Sequence, residues 1–155
     1  MKKNFNIQIV CVLSDTLWLG LSGIRVNYGH DDSLPYQADM FIMDKDNNPD
    51  GSTAFKKIGI VWNDGWGGDS NIEPALLKGS DEYIQKANEL CKQHKEYYNG
   101  EPFGEYDLGS LCDYMASLWV DIDGDKKYKD QTLLYRFDDD PVTIANKGAN
   151  LYRFK

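Results

Sequence analysis

Alternation of apolar and polar side chains predicts strands near the start of the chain. The segment Asn6–Leu13 carries apolar side chains on both of its alternating faces. One face holds Ile7, Ile9, Cys11 and Leu13, and the other holds Val10 and Val12. Since a strand that is apolar on both faces needs cover on both sides, we expect it inside a sheet rather than at an edge. A second strand is predicted over Leu17–Asn27, where Gly20 and Gly23 indicate a bulge or a bend.

A hairpin is predicted in the next part of the chain. Ala38–Met43 and Phe55–Trp62 both have the composition of strands, and the segment between them, Asp44–Gly51, is rich in turn-forming residues. Strands joined in this way usually pair in opposite directions, so we expect an antiparallel hairpin.

Two amphipathic helices are predicted in the second half of the chain. Ser80 is a suitable N-cap for the first, and Asn99–Gly100 is a suitable end. Asp107 is a suitable N-cap for the second, and Asp123–Gly124 a suitable end. Apolar side chains recur at helical spacing in both segments. The first stripe is Tyr83, Ile84, Ala87, Leu90, Cys91, His94 and Tyr97, and the second is Leu108, Leu111, Cys112, Met115, Leu118, Trp119 and Ile122.

Two further strands, Thr132–Phe137 and Ala149–Phe154, are predicted on either side of an acidic loop. The order of elements predicts a single α+β domain over residues 1–155. We expect a mostly antiparallel sheet of about five to six strands, packed against two helices.

Composition narrows the classes of function. The 155 residues carry a formal net charge of −8, which argues against direct binding to nucleic acid because that requires a basic surface. An acidic surface instead favours a protein partner with a basic surface. No apolar run approaches the ~18 residues of a membrane span. The three cysteines follow no metal-binding or disulfide spacing, so we expect reduced, buried thiols in a cytoplasmic protein.

The segment from Trp62 to Ser70, here called the Trp-Gly loop, follows an apolar strand directly. It contains the two tryptophans Trp62 and Trp66, three glycines, and the carboxylates of Asp64 and Asp69. Glycine permits a tight return of the chain, and two indoles each offer more than about 150 Å² of surface to bury. We therefore predict a structural corner that also offers aromatic anchors to a partner.

Two acidic segments have the carboxylate spacing of a cation loop. Asp121–Asp125 resembles the start of a calcium loop, but Lys126 and Thr132 occupy the positions where such a loop needs Gly and Glu. Asp44–Asp50 has similar spacing, which a hairpin turn also explains. We predict no metal site and no cofactor.

Catalytic groups are scarce. His94 follows Cys91 by three residues, a spacing that brings side chains together on a helix. No acid that would orient the histidine and no oxyanion hole is evident, and a cysteine on an apolar stripe is usually an inert buried thiol. We therefore predict a protein that is not an enzyme.

The hairpin, the second helical stripe and the strand Gln131–Phe137 together resemble small proteins encoded by phages, plasmids and integrative elements. The resemblance extends over residues 38–137, and its specific motif is Asn63-Asp64-Gly65-Trp66-Gly67-Gly68. It implies a genomic context and transfers no catalytic residue. Small acidic accessory proteins of such elements often counter host defence by binding a CRISPR effector or another nuclease, so the resemblance implies a partner of that kind.

These observations predict a non-enzymatic, anti-CRISPR-like inhibitor from a phage or mobile element, acting in the host cytoplasm. Its partner would be a nucleic-acid-handling defence protein with a basic surface. The expected contact residues are Trp62, Asp64, Trp66, Asp69, Asp121, Asp123, Asp125, Asp138, Asp139 and Asp140. Two alternatives stay open: a module that sequesters a nucleotide or a metal at the Trp-Gly loop, and a structural accessory protein of the element.

Overall fold

A computed structural model describes residues 7–26, 35–46, 55–64, 70–76, 78–98, 101–121, 126, 132–136 and 150–154. The helices are α1 (Ser80–Cys91) and α2 (Leu108–Asp121). The strands are β1 (Ile7–Val12), β2 (Leu17–Val26), β3 (Tyr36–Asp44), β4 (Lys56–Asn63), β5 (Asn71–Pro74), β6 (Lys95–Tyr98), β7 (Glu101–Glu105), β8 (Thr132–Arg136) and β9 (Asn150–Phe154).

The predicted α+β class, with a mostly antiparallel sheet and two helices, is confirmed. Seven strands form one sheet in the order β5-β4-β3-β2-β1-β8-β9, and β6 and β7 form a separate two-stranded sheet. Neighbours in the large sheet run antiparallel except β1 and β8, which are parallel. The predicted strands and the β3–β4 hairpin are present, whereas β5 and the β6–β7 hairpin were not predicted.

Strand β1 lies inside the sheet, between β2 and β8, as its two apolar faces predict. The prediction that Ile7 shares a face with Ile9 is wrong. The register against β2 shifts between these two residues, where the Gln8 side chain accepts a hydrogen bond from the Ile24 N–H at 2.7 Å. Ile7 therefore packs with Val10 on the far face, and Ile9 packs on the helix side.

Strand β2 contains the predicted bulge at Gly23. This residue has φ of 65°, in the left-handed region where glycine carries no penalty, and the register against β3 shifts between Ser22 and Arg25. The shift moves Ile24 onto the same face as Leu21, so both reach the core beneath the helices.

Helix α1 differs from the prediction at both ends. Its N-cap is Gly79, with φ of 91° and no side-chain cap, and Ser80 is the first helical residue and is buried, so the prediction of a Ser80 cap is wrong. The helix ends at Cys91 rather than at Asn99–Gly100, because residues 95–98 form β6 and pair with β7. Asn-Gly between two β-prone segments is a strong hairpin signal, and here it outweighed helical periodicity.

The core lies between the large sheet and the two helices. Trp119 is 1% exposed, and its apolar neighbours on α2 pack across β1, β2 and β4. Helix α1 packs on β4, β5 and α2. The Tyr83 hydroxyl on α1 donates a hydrogen bond of 2.9 Å to the buried Asp44 carboxylate, which joins this helix to the end of β3. Neither described helix combines the length and the apolar content needed to cross a bilayer.

Candidate functional site

A cavity of about 480 Å³ lies beside β5, between α1 and the first turn of α2. It is called the β5–α1–α2 pocket below. Its apolar lining is Ile72, Ile84 and Leu108, and its polar lining is Ser70, Asp81, Gln85, Asn88, Lys92, Asp107 and the backbone of Gly109. Ligand pockets typically enclose about 300–1,000 Å³ and combine apolar walls with a few polar groups. The volume of this open pocket lies in that range, and its lining combines apolar and polar side chains.

The start of α2 is held by a reciprocal cap. Asp107 Oδ1 accepts a hydrogen bond of 2.7 Å from the Ser110 N–H, and Ser110 Oγ accepts one of 3.0 Å from the Asp107 N–H. The predicted Asp107 cap is thus confirmed. These bonds satisfy backbone donors that a helix start leaves open, and they hold one oxygen of the Asp107 carboxylate in place.

A side chain of α1 joins the two helices at the pocket. Asn88 Oδ1 accepts a hydrogen bond of 2.8 Å from the Leu108 N–H. Because the carbonyl oxygen takes this bond, the orientation of the amide group is determined, and the donor group Nδ2 remains for other partners. The walls of the pocket are therefore fixed relative to each other before any ligand arrives.

The β5 side of the pocket is also tightly built. A Cβ at Gly109 would lie 3.3 Å from the backbone oxygen of Ser70, so only glycine fits here without displacement. Ser70 Oγ lies 3.0 Å from the Tyr36 hydroxyl on β3. Burial raises the pKa of Tyr36, so this hydroxyl stays protonated and remains available as a hydrogen-bond donor.

Among the described residues, the charged groups that line the pocket are two carboxylates and one ammonium group. Asp81, Asp107 and Lys92 are all exposed, so their charged ends contact water at the pocket rim. These described lining residues therefore carry one net negative charge. Above the apolar side chains of Ile72 and Ile84, this arrangement favours a group with an apolar stem and a cationic end.

Of the ten predicted contact residues, three fall within the described part of the chain. Trp62 is half-buried, and Asp64 and Asp121 are exposed. Val61 precedes Trp62 on β4 and packs beneath the helices. Because successive side chains of a strand point to opposite faces, the Trp62 side chain lies on the face of the sheet away from the helices. Asp121 ends α2, thirteen residues or ~20 Å along the helix axis from Leu108 at the pocket. The structure therefore does not bring Asp121 to the pocket.

The remaining predicted contact residues lie outside the described residues. They are Trp66, Asp69, Asp123, Asp125, Asp138, Asp139 and Asp140. Sequence reasoning missed the pocket carboxylate of Asp81 and interpreted Asp107 only as a helix cap. The sequence contains a signal for the start of α2, the Asp107 cap, but it contains none for the approach of β5 to both helices.

The three cysteines are free and buried, as predicted. Burial raises the pKa of Cys91 to about 12, and it also raises the pKa values of Cys11 and Cys112. Cys91 is the last residue of α1, and the His94 N–H donates a backbone hydrogen bond of 3.0 Å to its carbonyl oxygen. A thiol that stays protonated near neutral pH is a weak nucleophile, which fits the interpretation of Cys91 as an inert core residue.

These buried thiols predict a loss of stability in alkali. In the unfolded chain a cysteine ionises near its ordinary pKa of 9.0, whereas in the fold Cys91 keeps its proton up to about pH 12. Between these values the unfolded state loses protons first, so we expect the free energy of unfolding to fall by up to ~1.4 kcal/mol per pH unit for each such thiol. Urea unfolding from pH 8 to pH 11 measures the slope.

The matched control for this slope is Cys91→Ala. The variant is less stable at every pH because a core side chain is shortened, but its slope between pH 9 and pH 11 should be smaller than that of the parent chain. Equal slopes in the two proteins would show that Cys91 does not titrate as the fold implies.

Asp44 belongs to Asp44–Asp50, one of the two acidic segments with the carboxylate spacing of a cation loop, and its carboxylate accepts hydrogen bonds within the fold. Its Oδ1 accepts a hydrogen bond of 3.1 Å from the Asp46 N–H, and its Oδ2 accepts the bond from Tyr83. The other aspartates of this segment and of Asp121–Asp125 are Asp46 and Asp121, both exposed, and Asp50, Asp123 and Asp125, which lie outside the described residues. Within the described ranges, no three His, Cys, Asp or Glu side chains are arranged to hold a metal ion.

Comparison of the chain with protein-family models, curated proteins and solved structures found no match.

Proposed function

We propose that this protein is a non-enzymatic inhibitor, encoded by a phage or mobile element, that binds a nucleic-acid-handling defence protein in the host cytoplasm. The concrete candidate for the partner is a CRISPR effector or another nuclease with a basic surface. Binding places carboxylates of this chain against the Arg and Lys side chains that the partner uses for nucleic acid.

The observation that carries the proposal is the excess of exposed carboxylates. The chain contains 25 acidic and 17 basic residues. Around α1 and the start of α2, five acidic residues and three basic residues are exposed: Asp81, Glu82, Glu89, Glu105 and Asp107, against Lys78, Lys86 and Lys92. Such a surface repels phosphate backbones and attracts the basic grooves that bind them.

A second feature supports a rigid binding protein. The large sheet is covered on its helix side by a continuous buried cluster, which includes the three free, buried cysteines. Trp62 is half-buried, so a partner can bury the rest of its indole at little conformational cost.

The decisive experiment is co-purification of the tagged, full-length protein from a bacterial host that carries active CRISPR systems. A stoichiometric nuclease partner supports the proposal, and recovery of the protein alone or only with copies of itself contradicts it.

A thermal-shift screen with nucleotides, Ca²⁺ and Mg²⁺ addresses the small-ligand alternative, because a ligand that binds only the folded state raises the melting temperature by mass action.

A charge reversal tests the electrostatic basis of the interaction. We expect the double variant Asp64→Lys and Asp121→Lys to bind the recovered nuclease about tenfold more weakly at low salt, since each exposed charge contributes roughly 0.2–1 kcal/mol. The affinity of the variant should also depend less steeply on salt concentration. Titration calorimetry at several salt concentrations measures both effects.

The control for this variant is Asp15→Lys. Asp15 is exposed in the turn between β1 and β2, at the end of the sheet opposite to Asp64. The control makes the same change of charge at a residue that is not among the predicted contacts. An equal loss per lysine in the control and in the double variant would show that net charge alone, and no defined surface, governs binding.

A further inference from the structure

The side chains that line the β5–α1–α2 pocket are suited to bind one basic side chain. Its lining combines three apolar side chains with the exposed carboxylates of Asp81 and Asp107. We propose that this pocket receives an arginine side chain of the protein partner. The inference rests on the proposed function and names the group that the acidic surface recognises.

The occupant follows from the pairing of apolar walls with acidic rims. The methylene stem of arginine packs on apolar surface such as that of Ile72 and Ile84, and its guanidinium group remains at the rim. A planar guanidinium donates in a fixed fork that matches a carboxylate, and it is more weakly hydrated than an ammonium group. Arginine therefore fits this lining better than lysine does.

Pre-organisation of the acidic rim strengthens the argument. Asp107 Oδ1 accepts the cap hydrogen bond from the Ser110 N–H, and this bond orients the carboxylate. The second oxygen, Oδ2, takes no part in the cap bond. The pocket walls are fixed by the hydrogen bond from the Leu108 N–H to Asn88 Oδ1 and by the close approach of Ser70 to Gly109. A partner residue that enters such a pocket has little ordering cost to offset, which is typical of binding hot spots.

Lys92 is the single basic side chain among the described residues of the pocket lining, and its removal tests the sign of the ligand's charge. A positive charge at the rim opposes a guanidinium group. Removing it in Lys92→Gln should therefore strengthen binding of an arginine ligand, whereas it should weaken binding of an anion.

The test uses blocked tripeptides, Ac-Gly-Arg-Gly-NH₂, its lysine analogue and its citrulline analogue, titrated into the full-length protein. Amide chemical shifts in NMR spectra report which residues respond. We expect the arginine peptide to bind in the millimolar range and to shift the amides of Asn88, Lys92 and Gly109, with the lysine peptide weaker and the neutral citrulline peptide silent. Equal shifts from all three peptides, or no shift from the arginine peptide, would overturn the assignment.

Inorganic phosphate is titrated separately, because the donor groups of Asn88 and Lys92 offer the competing choice of an anion. Phosphate shifts at the pocket, with the arginine peptide silent, contradict the proposal. Shifts with the arginine peptide and none with phosphate support the proposal.

The matched variants are Asp81→Asn and Asp107→Asn, with Glu82→Gln as the control. Asparagine caps a helix about as well as aspartate, so Asp107→Asn removes the charge and keeps the α2 cap. Glu82 is exposed on α1 beside Asp81 but does not line the pocket. We expect about fivefold weaker arginine binding in each asparagine variant and no change in the control.

Binding to the recovered nuclease separates the two proposals. If the nuclease binds the parent chain and both asparagine variants equally, the proposed arginine site is wrong and the proposed function stands. If the arginine peptide binds the pocket but no nuclease is recovered, the proposed function fails and the arginine site stands.

Discussion

Replacing Trp119 by alanine is expected to lower the free energy of unfolding by about 3–5 kcal/mol, the usual cost of removing a large aromatic side chain from a core. Trp119 is 1% exposed and is the largest of the fully buried side chains in the described part of the chain. It lies on α2, which packs across three strands of the sheet, so the cavity left behind cannot close without moving the helix. Urea unfolding monitored by circular dichroism measures the loss.

Two further variants keep this prediction specific. Trp62→Ala makes the same chemical change at a half-buried position and should cost clearly less. Trp119→Phe fills part of the cavity, and it keeps the test valid if the alanine variant does not fold. A similar loss for Trp119→Ala and Trp62→Ala would show that α2 is not anchored as described.

Gly59→Ala is expected to cost about 1–3 kcal/mol, the usual range for overpacking. A Cβ at this position would lie 2.5 Å from the backbone oxygen of Glu73 on β5 and 3.3 Å from Cε of Met40. The backbone oxygen cannot rotate away, so β5 has to move off β4. We expect urea unfolding to show the loss of stability and amide exchange to show earlier opening of β5.

The effect of Gly59→Ala extends to function because Ser70 and Ile72 line the pocket from the β5 side. The variant should therefore also weaken binding of the arginine peptide. The control is Gly104→Ala on β7, where a Cβ meets no heavy atom within 4 Å, so that substitution should be nearly neutral. Equal stability of the two variants would mean that β5 does not lie against β4 at this distance.

The candidate site was partly accessible to prediction. The Asp107 cap was predicted because a cap depends on residues adjacent in sequence, and the structure contains it. The pocket itself was not predicted, because it forms where Ser70, Asp81 and Asn88, far apart along the chain from α2, meet the start of that helix. The predicted contact residues concentrated on loops, and the loop carboxylates are largely outside the described residues.

Local patterns determined most of the secondary structure of this protein. Apolar composition between turn-forming segments predicted β1 to β4, β8 and β9. The three-and-four spacing of apolar residues predicted α2, because burial of one helix face depends on the period of the helix itself. Net charge is likewise a property of the sequence alone, and the partner with a basic surface that it favours stays a prediction.

Tertiary structure alone decided two other features. The bulge beside Gln8 placed Ile7 and Ile9 on opposite faces, and β8 joined β1 in parallel. Each outcome depends on which distant segment supplies hydrogen bonds or buried surface, and such pairing energies exceed the small local preferences of the residues involved. The pocket has the same origin, since its walls come from three elements that meet only in the folded chain.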